Sequence, residues 1–167
     1  MRKVVALVVL GAAVTACDAP KETSTVSSVF EKNCETIRTV VDNLQNDVAD
    51  FQYYSEDFVG AQTRFNTTGD STRLDEFKTN RLKWLEIFDA ELTTPLNLLP
   101  GVNPQTNEVD GSVRYYGVWK VTKSATDSTE AKSVMVPIYA SYDFDEDGKI
   151  LYQQVYGDRT AALQSLN

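Results

Sequence analysis

The sequence predicts a single α+β domain in which two helices near the N-terminus precede a mainly antiparallel sheet. Apolar residues recur at three- and four-residue steps over residues 30–51 and 74–88, which is the period of a helix with one buried face. Later segments within residues 112–156 alternate apolar and polar residues, as half-buried strands do. Because the helices come first and the strands follow as a group, we expect separate layers around one core.

The two helical patterns each have residues suited to begin a helix. Ser27 or Ser28 is the predicted N-cap of the first helix, since a hydroxyl can accept from the free backbone N–H groups of the first turn. Ser71 or Thr72 has the same predicted role for a second helix over residues 73–88. The apolar face of the first helix contains Phe30, Cys34, Ile37, Val41, Leu44, Val48 and Phe51, and that of the second contains Leu74, Phe77, Arg81, Trp84, Leu85 and Phe88.

The predicted sheet begins with an extended segment at residues 53–60. Residues 91–99 form an edge strand at most, because Pro95 cannot donate a ladder hydrogen bond. Residues 145–149 form a hairpin turn with Gly148 at a position that favours positive φ. The remaining predicted elements are strands at residues 112–123, 134–144 and 150–156 and a short helix at residues 159–166.

The N-terminus has the pattern of an export signal. Arg2 and Lys3 precede an apolar run over residues 4–14, which is too short to span a bilayer as a helix. Small residues then precede Cys17, as in the lipobox of bacterial lipoproteins, although an ordinary secretory signal with an accidental Cys is the alternative. We predict a signal peptide at residues 1–16, a lipidated tether at residues 17–28 and the folded domain at residues 29–167.

This pattern predicts where the protein is located. Lipidation at Cys17 would anchor an exported protein in the bacterial cell envelope, on the periplasmic or cell-surface face. The anchoring lipid is then its one predicted membrane partner. A formal net charge of −8 argues against nucleic acid as a partner, because such binding depends on Lys and Arg on phosphates.

The absence of histidine excludes several classes of chemistry. With no His in the chain, Ser-His-Asp and Cys-His catalysis are ruled out, and the commonest zinc ligand is missing. Cys34 lies inside the first helical pattern and has no His to activate it, so we interpret it as a buried structural thiol. Acid–base chemistry would have to use Asp, Glu, Tyr, Lys or water.

The order of elements, with four local motifs, resembles the NTF2-like/SnoaL-like superfamily. The motifs are YYSEDFV (53–59), VRYYGVWKV (113–121), VPIYASYDFDEDGKI (136–150) and YQQVYGDRTAAL (152–163). The resemblance implies an α+β cone, in which N-terminal helices pack on a strongly curved, mainly antiparallel sheet. It also implies an open end that often holds a small molecule and an outer sheet face that often forms a homodimer.

The resemblance does not transfer a catalytic set to this chain. The general base of the ketosteroid isomerases falls near Gln62, their proton donor at Tyr139 or Ala140, and their helical Tyr near Arg38, so none of these side chains is kept. Asp57 as a base and Tyr139 as an oxyanion donor remain the candidate catalytic pair. A solvated or capping role for Asp57 is the simpler interpretation.

The acidic segment before residue 150 resembles part of a calcium loop. Asp143, Asp145, Asp147 and Gly148 match the first half of an EF-hand, but Gln154 stands where the bidentate Glu is needed. The flanking residues also alternate as strands rather than helices. We therefore predict an acidic hairpin tip, no metal site and no cofactor, with weak calcium binding at the hairpin as the alternative.

Aromatic residues on the predicted strands form the candidate ligand pocket. Aromatics supply rigid apolar walls with a polar tip, although they also favour strands and core packing in general. Strand alternation places Tyr115 on one face and Tyr116 on the other, so both faces carry aromatics. The candidate pocket residues are Tyr54, Tyr115, Trp119, Tyr142 and Tyr156.

Three functions are compatible with these observations, and the sequence leaves open whether the protein is an enzyme. The preferred hypothesis is non-catalytic binding of a small molecule or a protein partner. The second is a lyase or isomerase that uses Asp57 and Tyr139 in the pocket. The third is a structural envelope protein that forms a homodimer through its sheet. Convergence of a carboxylate and a Tyr hydroxyl in one cavity would favour the second, and a collapsed, fully apolar cone the third.

Overall fold

The computed structural model describes residues 22–62, 71–157 and 159–166, with side chains described from residue 28 onward except for Gln62. The predicted signal peptide and Cys17 lie outside the described residues. The helices are α1 (Glu22–Gln45), α2 (Leu74–Leu85) and α3 (Arg159–Gln164). The strands are β1 (Tyr54–Gln62), β2 (Ser71–Arg73), β3 (Phe88–Leu92), β4 (Leu99–Val102), β5 (Val109–Lys123), β6 (Lys132–Phe144) and β7 (Ile150–Tyr156).

The strands form one curled sheet in the order β2-β1-β7-β6-β5-β3, with β4 also paired to β5. Every neighbouring pair is antiparallel except β1 and β7, which run parallel. The long β5–β6 hairpin pairs residues from Val113 with Tyr142 to Lys123 with Lys132 without a break. The three helices and this curled sheet confirm the predicted α+β cone.

α1 covers the sheet with the earlier part of the predicted face, whereas Val48 and Phe51, also predicted on it, lie beyond the end of the helix. Cys34, Ile37 and Val41 on this face are buried in the main core. The helix begins at Glu22, however, so the predicted N-cap at Ser27 or Ser28 is wrong, and residues 22–28 of the predicted tether are helical. The helix ends at Gln45, soon before Asp47 adopts a left-handed φ of 56°.

α2 begins without the predicted hydroxyl cap. Its N-cap residue is Arg73, which makes no side-chain capping hydrogen bond. Ser71 and Thr72 are instead residues of β2 and pair with Ala61 and Gly60 of β1. The ladder to β1 therefore took precedence over the capping propensity of these residues.

The three long strands lie close to their predicted positions, whereas the segment before them differs. The strand predicted at residues 91–99 begins earlier, at Phe88, and ends at Leu92 before Pro95. β4 forms separately after the proline. Gly148 has a φ of +78°, as predicted for the hairpin turn.

The core lies between the inner face of the sheet and the helices. Phe58, Ile37, Val113 and Ile150 are fully buried there. A second hydrophobic cluster contains Val121 and Val136 of the sheet and Leu166, which follows α3 in the chain. No helix in the described part of the chain is long and apolar enough to cross a membrane.

Candidate functional site

The curled sheet and the three helices enclose a cavity of about 440 Å³. Side chains from β5, β6 and β7 form its sheet wall, and side chains from α1, α2 and α3 form the opposite wall. This volume lies within the range of about 300 to 1,000 Å³ that is common for small-molecule sites. Glu76 and Asn80 line the cavity although both are exposed, so they mark where it opens to solvent.

Aromatic side chains form much of the cavity wall. Tyr115 and Tyr142 lie opposite each other on β5 and β6, with nearly parallel rings whose centroids are 6.3 Å apart. Trp119 and Tyr54 also line the cavity, and Trp84 faces them from α2. Four of the five pocket residues proposed from the sequence therefore share one cavity.

Three side chains that line the cavity each have a buried polar atom with no hydrogen-bond partner among the described residues. These atoms are the indole Nε1 atoms of Trp84 and Trp119 and the amide Oε1 of Gln153. The Tyr115 hydroxyl lies beside the Trp119 indole, but the geometry of a hydrogen bond at this N–H is not reached. Buried polar atoms normally have a partner, so this concentration of unpaired atoms around one cavity is a feature of a binding site.

Burial keeps the cavity tyrosines in the neutral form. It raises the pKa of Tyr54 and of Tyr115, and it raises the pKa of Tyr142 well above the usual range. The positive charge of Arg81, which lines the same cavity, opposes the rise at all three hydroxyls. All three phenols are therefore hydrogen-bond donors at physiological pH.

Arg81 provides a positive charge in the cavity wall. Its guanidinium carbon lies 5.3 Å from the ring centroid of Phe77, in a cation–π contact. Across the described residues, no carboxylate lies within ion-pair distance of Arg81. Glu76 is the one carboxylate of the described residues that lines the cavity, and Arg159 adds a second cation.

Tyr156, which we expected in the pocket, lies on the outer face of the sheet. Inward and outward side chains alternate along β7, so Gln153 and Val155 line the cavity while Tyr156 is 42% exposed. Its ring centroid is 6.0 Å from that of Tyr139. The pocket assignment of Tyr156 is therefore corrected.

The candidate catalytic pair does not meet in the cavity. Asp57 is exposed on β1, where an irregularity between Tyr54 and Val59 turns Phe58 into the core and Asp57 to solvent. Tyr139 is on the outer face, with its ring centroid 4.9 Å from that of Tyr116. Neither residue lines the cavity, so the geometry does not support a pocket site built from these two side chains.

The acidic hairpin is ordered by its own hydrogen bonds. One Asp145 carboxylate oxygen accepts from the backbone N–H groups of Asp147 and Lys149, at 3.1 and 2.9 Å. Partial burial alone would raise the pKa of Asp145, but these N–H groups, the Ser55 hydroxyl and the Lys149 charge hold it below its usual value. Within the described residues, no group of three or more Cys, Asp or Glu side chains is placed to hold a metal ion.

Cys34 is buried and free, which confirms its interpretation as a structural thiol. Burial raises its pKa, because the thiolate would lose its hydration there. A raised pKa leaves less of the reactive thiolate at neutral pH.

Sequence reasoning missed Gln153, and it noted Arg81 and Trp84 only as members of a helix face. The sequence pattern did contain a signal for Arg81 and Gln153. Arg81 is the single charged residue on the apolar face of α2, and Gln153 occupies an inward position on a strand between apolar neighbours. A polar side chain at a core position needs a partner, and here that partner is not in the protein.

Comparison with solved structures shows an NTF2-like fold. A proposed isomerase from Bacillus subtilis matches with a TM-score of 0.62 at 11% identity, covering 83% of this chain and 99% of that chain. An NTF2-like protein from Burkholderia xenovorans matches at 0.58 and 10% identity, covering 82% and 97%. An epoxide hydrolase from M. tuberculosis matches at 0.56 and 14% identity, covering 81% and 90%.

Identities this low establish the fold alone. No protein-family model matches the sequence, and no curated protein matches it significantly. The function must therefore be argued from the cavity.

Proposed function

We propose that this protein binds a small molecule in the cavity between its helices and its sheet, without chemical change to the ligand. One observation carries the proposal: a cavity of about 440 Å³ whose wall contains three buried polar atoms without partners. Leaving such an atom unpaired costs about 1 to 3 kcal/mol. A ligand that pairs these atoms, once side-chain rotations turn them toward the cavity, recovers this cost, and the aromatic walls supply apolar contact.

A ligand screen tests this proposal. Every element of the described fold lies after residue 21, so the chain from Asp18 onward keeps the whole domain. We would measure its thermal unfolding with steroids, polyketide-like aromatics, small organic acids and calcium. A ligand at about 100 times its Kd should stabilise the fold by about 2.7 kcal/mol, or several degrees. No shift with any organic compound, in a folded protein, would refute the proposal.

The location of the tryptophans offers a second readout. The chain contains two Trp residues, Trp84 and Trp119, and both line the cavity. Their fluorescence should therefore change when a ligand enters. Asn80→Phe narrows the opening and should weaken binding, whereas Thr79→Phe, at the preceding exposed position outside the cavity wall, is the matched control.

We also propose that Cys17 is lipidated and anchors the domain in the cell envelope. The charged start, the short apolar run and the Cys support this proposal. A Cys17→Ser variant of the full chain should move from the membrane fraction to the soluble fraction. Retention in the membrane fraction would contradict lipid anchoring through this residue.

A lyase or isomerase in the same cavity is the second candidate. The neutral Tyr54 and Tyr115 hydroxyls and the Arg81 guanidinium belong to side chains of one cavity and could stabilise an oxyanion, and Glu76 supplies a carboxylate at the opening. Some structural neighbours are described as an isomerase and an epoxide hydrolase. Conversion of a bound ligand, or its exchange of protons with deuterated water, would favour this candidate over passive binding.

The outer face of the sheet supports a proposed homodimer. Tyr116, Met135 and Tyr156 are large exposed side chains on this face. Sedimentation should show a dimer that Tyr116→Lys with Met135→Lys converts to a monomer. A purely structural protein is the less favoured interpretation, because the cavity is open and has polar groups in its wall rather than being collapsed and apolar.

A further inference from the structure

The polar groups around the cavity have a strong bias toward donors. The indole N–H groups of Trp84 and Trp119 are unpaired donors, and neither can accept. The neutral Tyr54 and Tyr115 hydroxyls can each donate or accept, whereas the Tyr142 hydroxyl donates to the Tyr115 oxygen. A ligand that matches this wall must therefore present acceptor atoms to the two indole N–H groups.

The positive charge of Arg81 favours a ligand whose acceptor group is an anion. Arg81 is half-buried, lines the same cavity as the three tyrosines and has no ion-pair partner among the described residues. An Arg guanidinium pairs best with a carboxylate, through two parallel N–H···O bonds. Glu76, the carboxylate of the cavity wall, is exposed at the opening, so it leaves a net positive charge deeper inside.

One buried atom among the cavity side chains needs a hydrogen-bond donor rather than an acceptor. The Gln153 amide oxygen is an unpaired acceptor on a side chain that is only 9% exposed. It lies on β7, in the sheet wall, whereas Arg81 belongs to α2 in the helical wall. A ligand that satisfies both needs an anionic group at one end and a hydrogen-bond donor at the other.

We propose that the ligand is an aromatic or alicyclic carboxylate that also carries a hydroxyl group. Its carboxylate pairs with Arg81, and its ring lies against Tyr115 and Trp119. Its hydroxyl donates to the Gln153 amide oxygen after a rotation of the amide turns that atom toward the cavity. This inference rests on the proposed binding function and names the chemical class that the cavity selects.

Three related probes test each contact separately in the chain from Asp18 onward. They are para-hydroxycinnamate, cinnamate, which lacks the hydroxyl, and methyl para-hydroxycinnamate, which lacks the charge. Calorimetry should rank para-hydroxycinnamate first. Loss of the charge should weaken binding about 10- to 100-fold, and loss of the hydroxyl about 5-fold, as expected for charged and neutral hydrogen bonds.

Two variants then assign each preference to a side chain. Arg81→Met should remove the preference for the acid over the ester while leaving the preference for the hydroxyl. Gln153→Leu should remove the preference for the hydroxyl while leaving that for the acid. Lys78→Met and Gln154→Leu change comparable side chains that do not line the cavity, so both should keep the wild-type ranking.

The outcomes separate this inference from the proposed function. Binding of steroids or neutral aromatics with no preference for the acid would overturn the inference and leave the binding function intact. Failure of every organic compound to bind would overturn both. Acid selectivity that survives Arg81→Met, in a variant with a wild-type unfolding transition, would also overturn the inference.

Discussion

The two faces of the sheet use the same residue type in opposite ways. Tyr115 and Tyr116 are neighbours on β5, yet Tyr115 is 3% exposed in the cavity wall and Tyr116 is 66% exposed on the outer face. Tyr142 and Tyr139 repeat this contrast on β6. Strand alternation alone separates them, so adjacent tyrosines serve a candidate ligand site and a candidate association surface.

The largest expected difference between the faces is in stability. Tyr115→Ala removes a buried ring that stacks on Tyr142 and should lower the free energy of unfolding by about 3 kcal/mol. Tyr116→Ala removes an exposed ring and should change it by less than about 1 kcal/mol. Urea unfolding of both variants measures the difference. Equal losses would show that the two faces are not distinguished by burial.

Alkaline pH should lower the free energy of unfolding through the buried tyrosines of the inner face. Burial raises the pKa of Tyr54, Tyr115 and Tyr142 in the folded state, so their stabilising contribution is complete below the unfolded pKa of about 10. As pH rises above that value, the unfolded state loses protons first. Stability should therefore fall by up to about 1.4 kcal/mol per pH unit for each such group.

Urea unfolding between about pH 9 and about pH 12 measures this slope. Tyr142→Phe should make it shallower because one raised hydroxyl is removed. Tyr116→Phe, which removes an exposed hydroxyl from the outer face, is the matched control. An unchanged slope in Tyr142→Phe would contradict the assignment.

A smaller effect, of opposite sign, is expected at Gln153. Gln153→Leu replaces an unpaired buried carbonyl with an apolar group and should stabilise the ligand-free protein by about 1 kcal/mol. Gln154→Leu, at the next position and outside the cavity wall, should change stability by less than about 0.5 kcal/mol. Thermal unfolding without ligand measures both. A clear loss of stability in Gln153→Leu would mean that the amide already has a partner.

The smallest effects on ligand affinity are expected at Asp57 and Tyr139, the candidate catalytic pair. Asp57→Asn and Tyr139→Phe change side chains outside the cavity, so ligand affinity should stay within about twofold, or about 0.4 kcal/mol. Calorimetry with the best ligand of the screen checks this. A tenfold loss in either variant would place that residue back in the site.

The success of sequence reasoning also differed between parts of the molecule. β5 and β6 alternate over more than ten residues, so their position and their inward residues could be predicted. The first turn of α2 could not, because pairing of Ser71 and Thr72 with β1 is a long-range contact that no local pattern shows. The inward direction of Gln153 and Arg81 was readable as polar residues in apolar patterns, but their convergence on one cavity depends on tertiary structure.

The parallel pairing of β1 with β7 has a consequence for how the protein folds. Tyr54 pairs with Ile150, nearly a hundred positions later, and this junction joins the early strands to the rest of the sheet. Closing so long a loop is entropically costly and slow, so contacts of this kind set the pace of folding. A nascent chain that lacks β7 lacks the strand that joins β1 and β2 to the rest of the sheet, and this is also the strand that carries Gln153. We therefore expect the capacity to bind ligand to arise in a single late step, rather than gradually as the chain grows.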